Sequence, residues 1–226
     1  SYLLVLNVGL AWVAHKRRWP LLGAAALALT ALYQLGWVAR FLGPGNLLVG
    51  AVVFLVFPAF GFLALAASSR GGAEAPKVAR WTAALGAIPP LLFLLHASTQ
   101  PALLAHWPLV LGFAVLLGAG LLVVAALQGP EWLHLVGVGS ATVALAGVVH
   151  GLERTASWNV AEARGEHWPA LLLPVLALAA VVLGGPRLLA ARGRPLRAEG
   201  RWGVYAGPLL LAVLALVSWS QYQGGS

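Results

Sequence analysis

The stretch His106-Trp-Pro-Leu-Val-Leu-Gly-Phe-Ala-Val-Leu-Leu-Gly-Ala-Gly-Leu-Leu-Val-Val-Ala-Ala-Leu127 decides the fold. It carries no Lys, Arg, Asp or Glu. As an α-helix rising about 1.5 Å per residue it covers roughly 33 Å, enough to cross the ~30 Å hydrocarbon core of a bilayer. Its apolar run lacks the strict alternation of a membrane barrel strand, and an open strand at that depth would leave backbone groups unpaired in lipid. The stretch therefore reads as a transmembrane helix.

Comparable runs fill the rest of the chain, at approximately 2 to 15, 20 to 40, 46 to 68, 80 to 98, 131 to 151, 168 to 185 and 203 to 221. The expected fold is an all-α polytopic transmembrane bundle of about eight helices. Composition agrees. Of 226 residues, 61% are hydrophobic and 9% charged, with a mean hydropathy of +0.88. An ordinary soluble domain is roughly 45–50% apolar and about 25% charged. No signal peptide is visible, and a start at Ser1 inside an apolar run is what a fragment of a longer chain would show. The Ala, Leu, Gly, Val and Arg bias, with Ile88 the only isoleucine, points to a GC-rich bacterial coding sequence.

Missing residue types restrict the chemistry. Cysteine, methionine and aspartate are absent, which removes disulfides, thiolate nucleophiles, Cys-ligated zinc or iron–sulfur centres and thioether haem ligands within these residues. No cofactor is expected. The net charge of +8 would suggest nucleic acid in a soluble protein, but here the basic residues lie in short loops between spans, so the lipid bilayer is the expected partner and nucleic acid is not. Eleven of the fourteen Lys and Arg residues cluster around 16–18, 70–80 and 187–201. Cytoplasmic loops retain positive charge, so these three are placed in the cytoplasm and the chain in a bacterial inner membrane as a multi-pass protein. Tryptophans at both span ends, such as Trp19, Trp81 and Trp132 against Trp37, Trp107 and Trp168, fit two interfacial belts.

The two halves resemble each other. Arg80-Trp81 followed by Gly86 and Pro89-Pro90 matches Arg201-Trp202 followed by Gly207-Pro208, and Pro58 and Pro174 sit one helix earlier in each half. The expectation is two parallel four-helix repeats, at residues 1–100 and 101–226.

Candidate functional residues fall into two sets. Pro58, Pro89, Pro90, Pro174 and Pro208 kink their helices and free carbonyls that can line a cavity, although proline is also a common bending device in such helices. His96, His106, His150 and His167, with Glu153, sit on the non-cytoplasmic side, where imidazole and carboxylate together are metal ligands or proton carriers. Interfacial histidines without a ligand are the more ordinary reading. His134 and His150 share a helix but stand roughly 160° apart around it, which disfavours a haem between helices served by both. Gly137-Val-Gly-Ser140 faintly resembles the serine of an intramembrane protease, but small residues at that spacing more commonly let helices approach. Thr30 and Gln34 are among the few mid-span polar residues, and no Glu, Lys or Arg lies clearly mid-span.

Tyr2-Leu-Leu-Val-Leu-Asn-Val-Gly-Leu-Ala, followed by His15-Lys16-Arg17-Arg18-Trp19-Pro20, resembles a recurrent unit of long bacterial predicted membrane proteins, the family numbered 2339 among domains of unknown function. The likeness covers residues 2 to 60 and implies a parent chain with more spans, whose further segments or other membrane subunits are partners. It supplies no activity. Three functions follow as expectations: a non-enzymatic segment serving transport or envelope assembly, a structural or accessory subunit of a larger complex, or an enzyme with an outward-facing His/Glu site. The topology is checkable because the chain has no native cysteine: single cysteines at Arg17, Ala73 and Arg192 should react with an impermeant thiol reagent from the cytoplasmic face only, and one at Ser157 from the opposite face only.

Overall fold

The computed structural model describes residues 2–17, 19–68, 77–126, 131–153, 171–193, 195–196 and 205. Every element among them is helical: α1 (Tyr2–Arg17), α2 (Pro20–Phe41), α3 (Leu47–Ser68), α4 (Lys77–Thr99), α5 (Trp107–Ala126), α6 (Trp132–Glu153) and α7 (Leu171–Ala191). Short 3-10 turns, Pro44–Asn46 and Pro101–His106, lead into α3 and α5. Among the described residues five stretches are long and apolar enough to cross a membrane: Leu21–Phe41, Arg80–Thr99, Pro101–Ala126, Trp132–Gly151 and Leu171–Ala191. This is the fold of a polytopic membrane protein.

Of the eight expected spans, the first is a helix of 16 residues and is not among the five, and in the third the qualifying apolar stretch is the shorter Pro44–Val56. The eighth, 203 to 221, lies outside the described residues except for Tyr205. The seventh runs further than expected, taking in Arg187 before Gly193, at φ +73, ends it; Gly193 donates its N–H to the Ala190 carbonyl there, an arrangement that glycine adopts without strain.

Proline sets the other boundaries. Pro44 holds Gly43 extended, so α2 stops, and the Asn46 side-chain amide donates to the Phe41 carbonyl left open at its end. In α7, Pro186 has no N–H for the carbonyl of Val182 and its ring would strike it; the preceding turn widens, and Gly185 donates instead to Ala180 five residues back, making Ala180–Gly184 a π-helical turn.

The centre of the bundle is α4, which packs against α2, α3, α5 and α6. Two-thirds of its span is buried, against 18% of the α2 span. Within Arg80–Thr99 the exposed residues are Trp81, Leu85, Ile88, Leu92 and Thr99, a stripe at helical spacing. Small residues make this enclosure possible. Ala83, Ala84, Gly86, Ala87, Ala97 and Ser98 are all buried, so neighbouring backbones come close, which lipid-embedded helices need because burying apolar surface gains little there. A Cβ on Gly147 of α6 would stand 2.9 Å from the Ser98 carbonyl oxygen, so only hydrogen at that position lets α6 lie on α4.

Phe93 of α4 ties three helices together. Its ring stacks on Phe54 of α3 at 4.7 Å and meets Phe113 of α5 edge-on at 5.0 Å. Such pairs contribute about 0.5–1.5 kcal/mol each beyond their area. Gly50 of α3 leaves room for the ring, since a Cβ there would lie 3.0 Å from it.

These contacts also fix helix directions. Gly50 and Pro58 of α3 meet Phe93 and Gly86 of α4, so α3 and α4 are antiparallel. Gly118 and Leu122 of α5 meet Val181 and Gly185 of α7, so those two are parallel; Leu121 meets Gly137, so α6 runs against α5 and along α4. Lys77 and Arg80 at the start of α4 therefore share one end of the bundle with Arg187 and Arg192 at the end of α7. One apolar core, from Val38 to Val182, joins helices of both expected halves.

Helix contacts through glycine should be unequal. Gly147→Leu, which puts a side chain against backbone, is expected to lower the midpoint of thermal unfolding in detergent by roughly 3–8 °C, corresponding to about 1–3 kcal/mol. Gly139→Ala, where nothing lies within 4 Å, should leave it unchanged.

Candidate functional site

Of the expected outer histidines, His96, His106 and His150 share one end of the bundle. Leu104, in the 3-10 turn that ends at His106, packs on Gly151 of α6, and the end of α4 meets α6 at Ser98. His96 is half-buried in the last turn of α4, where its carbonyl accepts a bond from Thr99 Oγ1 at 3.0 Å. His106 is exposed, and His150 lies on the exposed stripe of α6 with Trp132, Leu135, Val136, Gly139 and Val143. Glu153 closes α6, and His167 lies outside the described residues. Among the described residues no three His or Glu side chains come together to hold a metal ion.

The candidate prolines among the described residues stand in three helices. Pro58 is buried and packs on α4, its Cα 3.7 Å from where a Gly86 Cβ would stand. Pro89 and Pro90 are buried in α4, Pro174 is half-buried, and Pro208 lies outside the described residues. Ser140 is half-buried, and its neighbour Gly137 admits the side chain of Leu121 from α5, in line with a packing role for that Gly-x-Gly-Ser run. Trp107 opens α5, at a span end as expected, and is 6% exposed, packed into the core there.

Buried polar groups lie elsewhere. On α2 the buried positions Ala26, Thr30, Gln34 and Val38 form one stripe at four-residue spacing, facing the bundle that α4 centres. Gln34 is 4% exposed, and its Nε2 has no hydrogen-bond partner among the described residues. At the start of α6, His134 is 1% exposed and its Nε2 is likewise unpartnered among them, as is Oε2 of Glu131 one turn earlier. Thr142, by contrast, satisfies its hydroxyl on the Val138 carbonyl at 2.9 Å. His134 buried and His150 exposed realise the opposite placement that the spacing predicts. The sequence carries half the signal for this pair, since Glu131 and His134 are three residues apart on one helix face; the exposure of Trp132, Leu135 and Gly139 shows that this face is the inner one.

No protein-family model matches the chain, and no curated protein or solved structure is found similar to it. The architecture is that of a multi-pass helical membrane protein.

Gln34 gives a direct test of whether its amide works. A buried donor without a partner costs about 1–3 kcal/mol, so Gln34→Leu should hold the unfolding midpoint in detergent constant or raise it by a few degrees. A fall of more than about 5 °C would mean that the amide holds the bundle together.

Proposed function

We propose that the chain is a non-enzymatic, multi-pass segment of a bacterial inner-membrane protein, serving as a structural or accessory part of a larger assembly for transport or cell-envelope construction. The observation that carries this reading is the enclosure of α4 by its neighbours, with Pro89 and Pro90 buried in it and Pro58 of α3 packed where Gly86 leaves room. Ionisable groups, the usual mark of a coupled transport pathway, are missing from the middle of the spans. The likeness of residues 2–60 to the 2339 family supports partners that are further transmembrane segments of the same parent chain, and the clustering of basic residues supports the cytoplasmic placement of 16–18, 70–80 and 187–201.

The stripe of Thr30 and Gln34 favours a second reading, in which a polar track between α2 and α4 serves solute movement. The third, an outer-surface enzyme, needs a convergence of His96, His106 and His150 with Glu153 and His167, and the described residues hold no such group of three.

Reconstitution separates these. The purified chain in liposomes should pass protons, alkali cations and small sugars no faster than empty liposomes do. Extraction of native membranes with mild detergent should yield it in fixed stoichiometry with a second membrane component. Saturable flux that Gln34→Leu abolishes would overturn the accessory reading in favour of transport.

A further inference from the structure

We propose that Glu131 and His134, at the start of α6, form the protein half of a binding site for a divalent transition-metal ion. Glu131 lies in the turn that opens the helix, and the His134 N–H donates to its carbonyl at 3.1 Å, which fixes the two residues one turn apart. Residues three apart present their side chains on one helix face. That face is the inward one: His134 is 1% exposed, and the intervening Trp132 points outward.

Glu131 Oε2 and His134 Nε2 are both shut off from solvent and both without a hydrogen-bond partner among the described residues. A carboxylate oxygen and an imidazole nitrogen left this way cost several kcal/mol in a medium of low dielectric constant. A cation taking a lone pair from each answers both at once. Carboxylate oxygen with imidazole nitrogen suits Zn2+, Fe2+ or Mn2+ better than the all-oxygen shells of Mg2+ and Ca2+. In helical bundles, Glu and His three residues apart on one helix are a recurrent inward-facing pair of metal ligands. Since no group of three such side chains occurs among the described residues, the pair supplies two ligands and the remaining positions of a four-coordinate shell stay open to water or to another ligand. The resulting site binds reversibly and is distinct from the histidines at the opposite end of the bundle.

Zn2+ titrated into the untagged, detergent-purified chain by calorimetry tests this, with Co2+ as a visible-spectrum probe. The expected result is saturable uptake of about one ion per chain, weakened about ten-fold or more by His134→Ala and by Glu131→Gln, and unchanged by the pair His106→Ala and His150→Ala. Glu131→Gln preserves shape, so loss of the Co2+ ligand-field bands in that variant with an unshifted unfolding midpoint supports the site even where His134→Ala fails to fold. Absence of saturable uptake below millimolar Zn2+ overturns the proposal, as does uptake that survives both substitutions at Glu131 and His134 or is lost with His106 and His150.

Discussion

Lipid is as apolar as leucine, so helices in a bilayer are held by how closely they can touch. The whole bundle rests on this constraint at α4. Its Ala, Gly and Ser surface lets four neighbours reach it, and Gly147 brings the backbone of α6 to within contact of the Ser98 carbonyl. Phe93 fills the remaining space between α3 and α5 with two ring contacts. Larger residues at these positions would be no less apolar, yet they would separate the helices and forfeit the dispersion contacts that replace a hydrophobic driving force.

The helices themselves were plain in the sequence because their signal, long runs without charge, depends on composition alone. Their ends were less so. The π-helical turn that carries α7 past Arg187 comes from a steric conflict between Pro186 and Val182, which hydropathy does not register. Residue type and position put Trp107 at a span end, but do not show that its ring packs into the core. Of the candidate site residues, the common end of His96, His106 and His150 follows from span boundaries, whereas the outward turn of His106 and His150 depends on how each helix is rotated. The inward pair Glu131 and His134 escaped attention for the same reason: spacing shows that they share a face, and only packing tells which face is inside.

Polarity is distributed economically. The exposed stripes of α4 and α6 are almost wholly apolar, apart from Thr99 and His150 at their ends. Among the described residues the buried polar groups are Thr30 with Gln34 on α2, Ser98 on α4, and His134 with the Glu131 carboxylate oxygen at the start of α6. Everything between is a continuous apolar core reaching from Val38 to Val182, so a cut between residues 100 and 101 would divide a single packed unit even if the two halves arose by duplication.

The widened turn at Ala180–Gly184 has a consequence for how such a helix changes over generations. It accommodates one residue more than a regular turn would, and so resets the rotational phase between Leu171–Ala179 and Gly185–Ala191. The buried series Leu171, Val175, Leu178 and Val182 continues at Pro186 on the far side of that reset. A single-residue insertion or deletion elsewhere in a span turns every later side chain by about 100° and is ruinous. Here Pro186 has imposed one widened turn, so the phase of Gly185–Ala191 against Leu171–Ala179 is tied to where that proline stands.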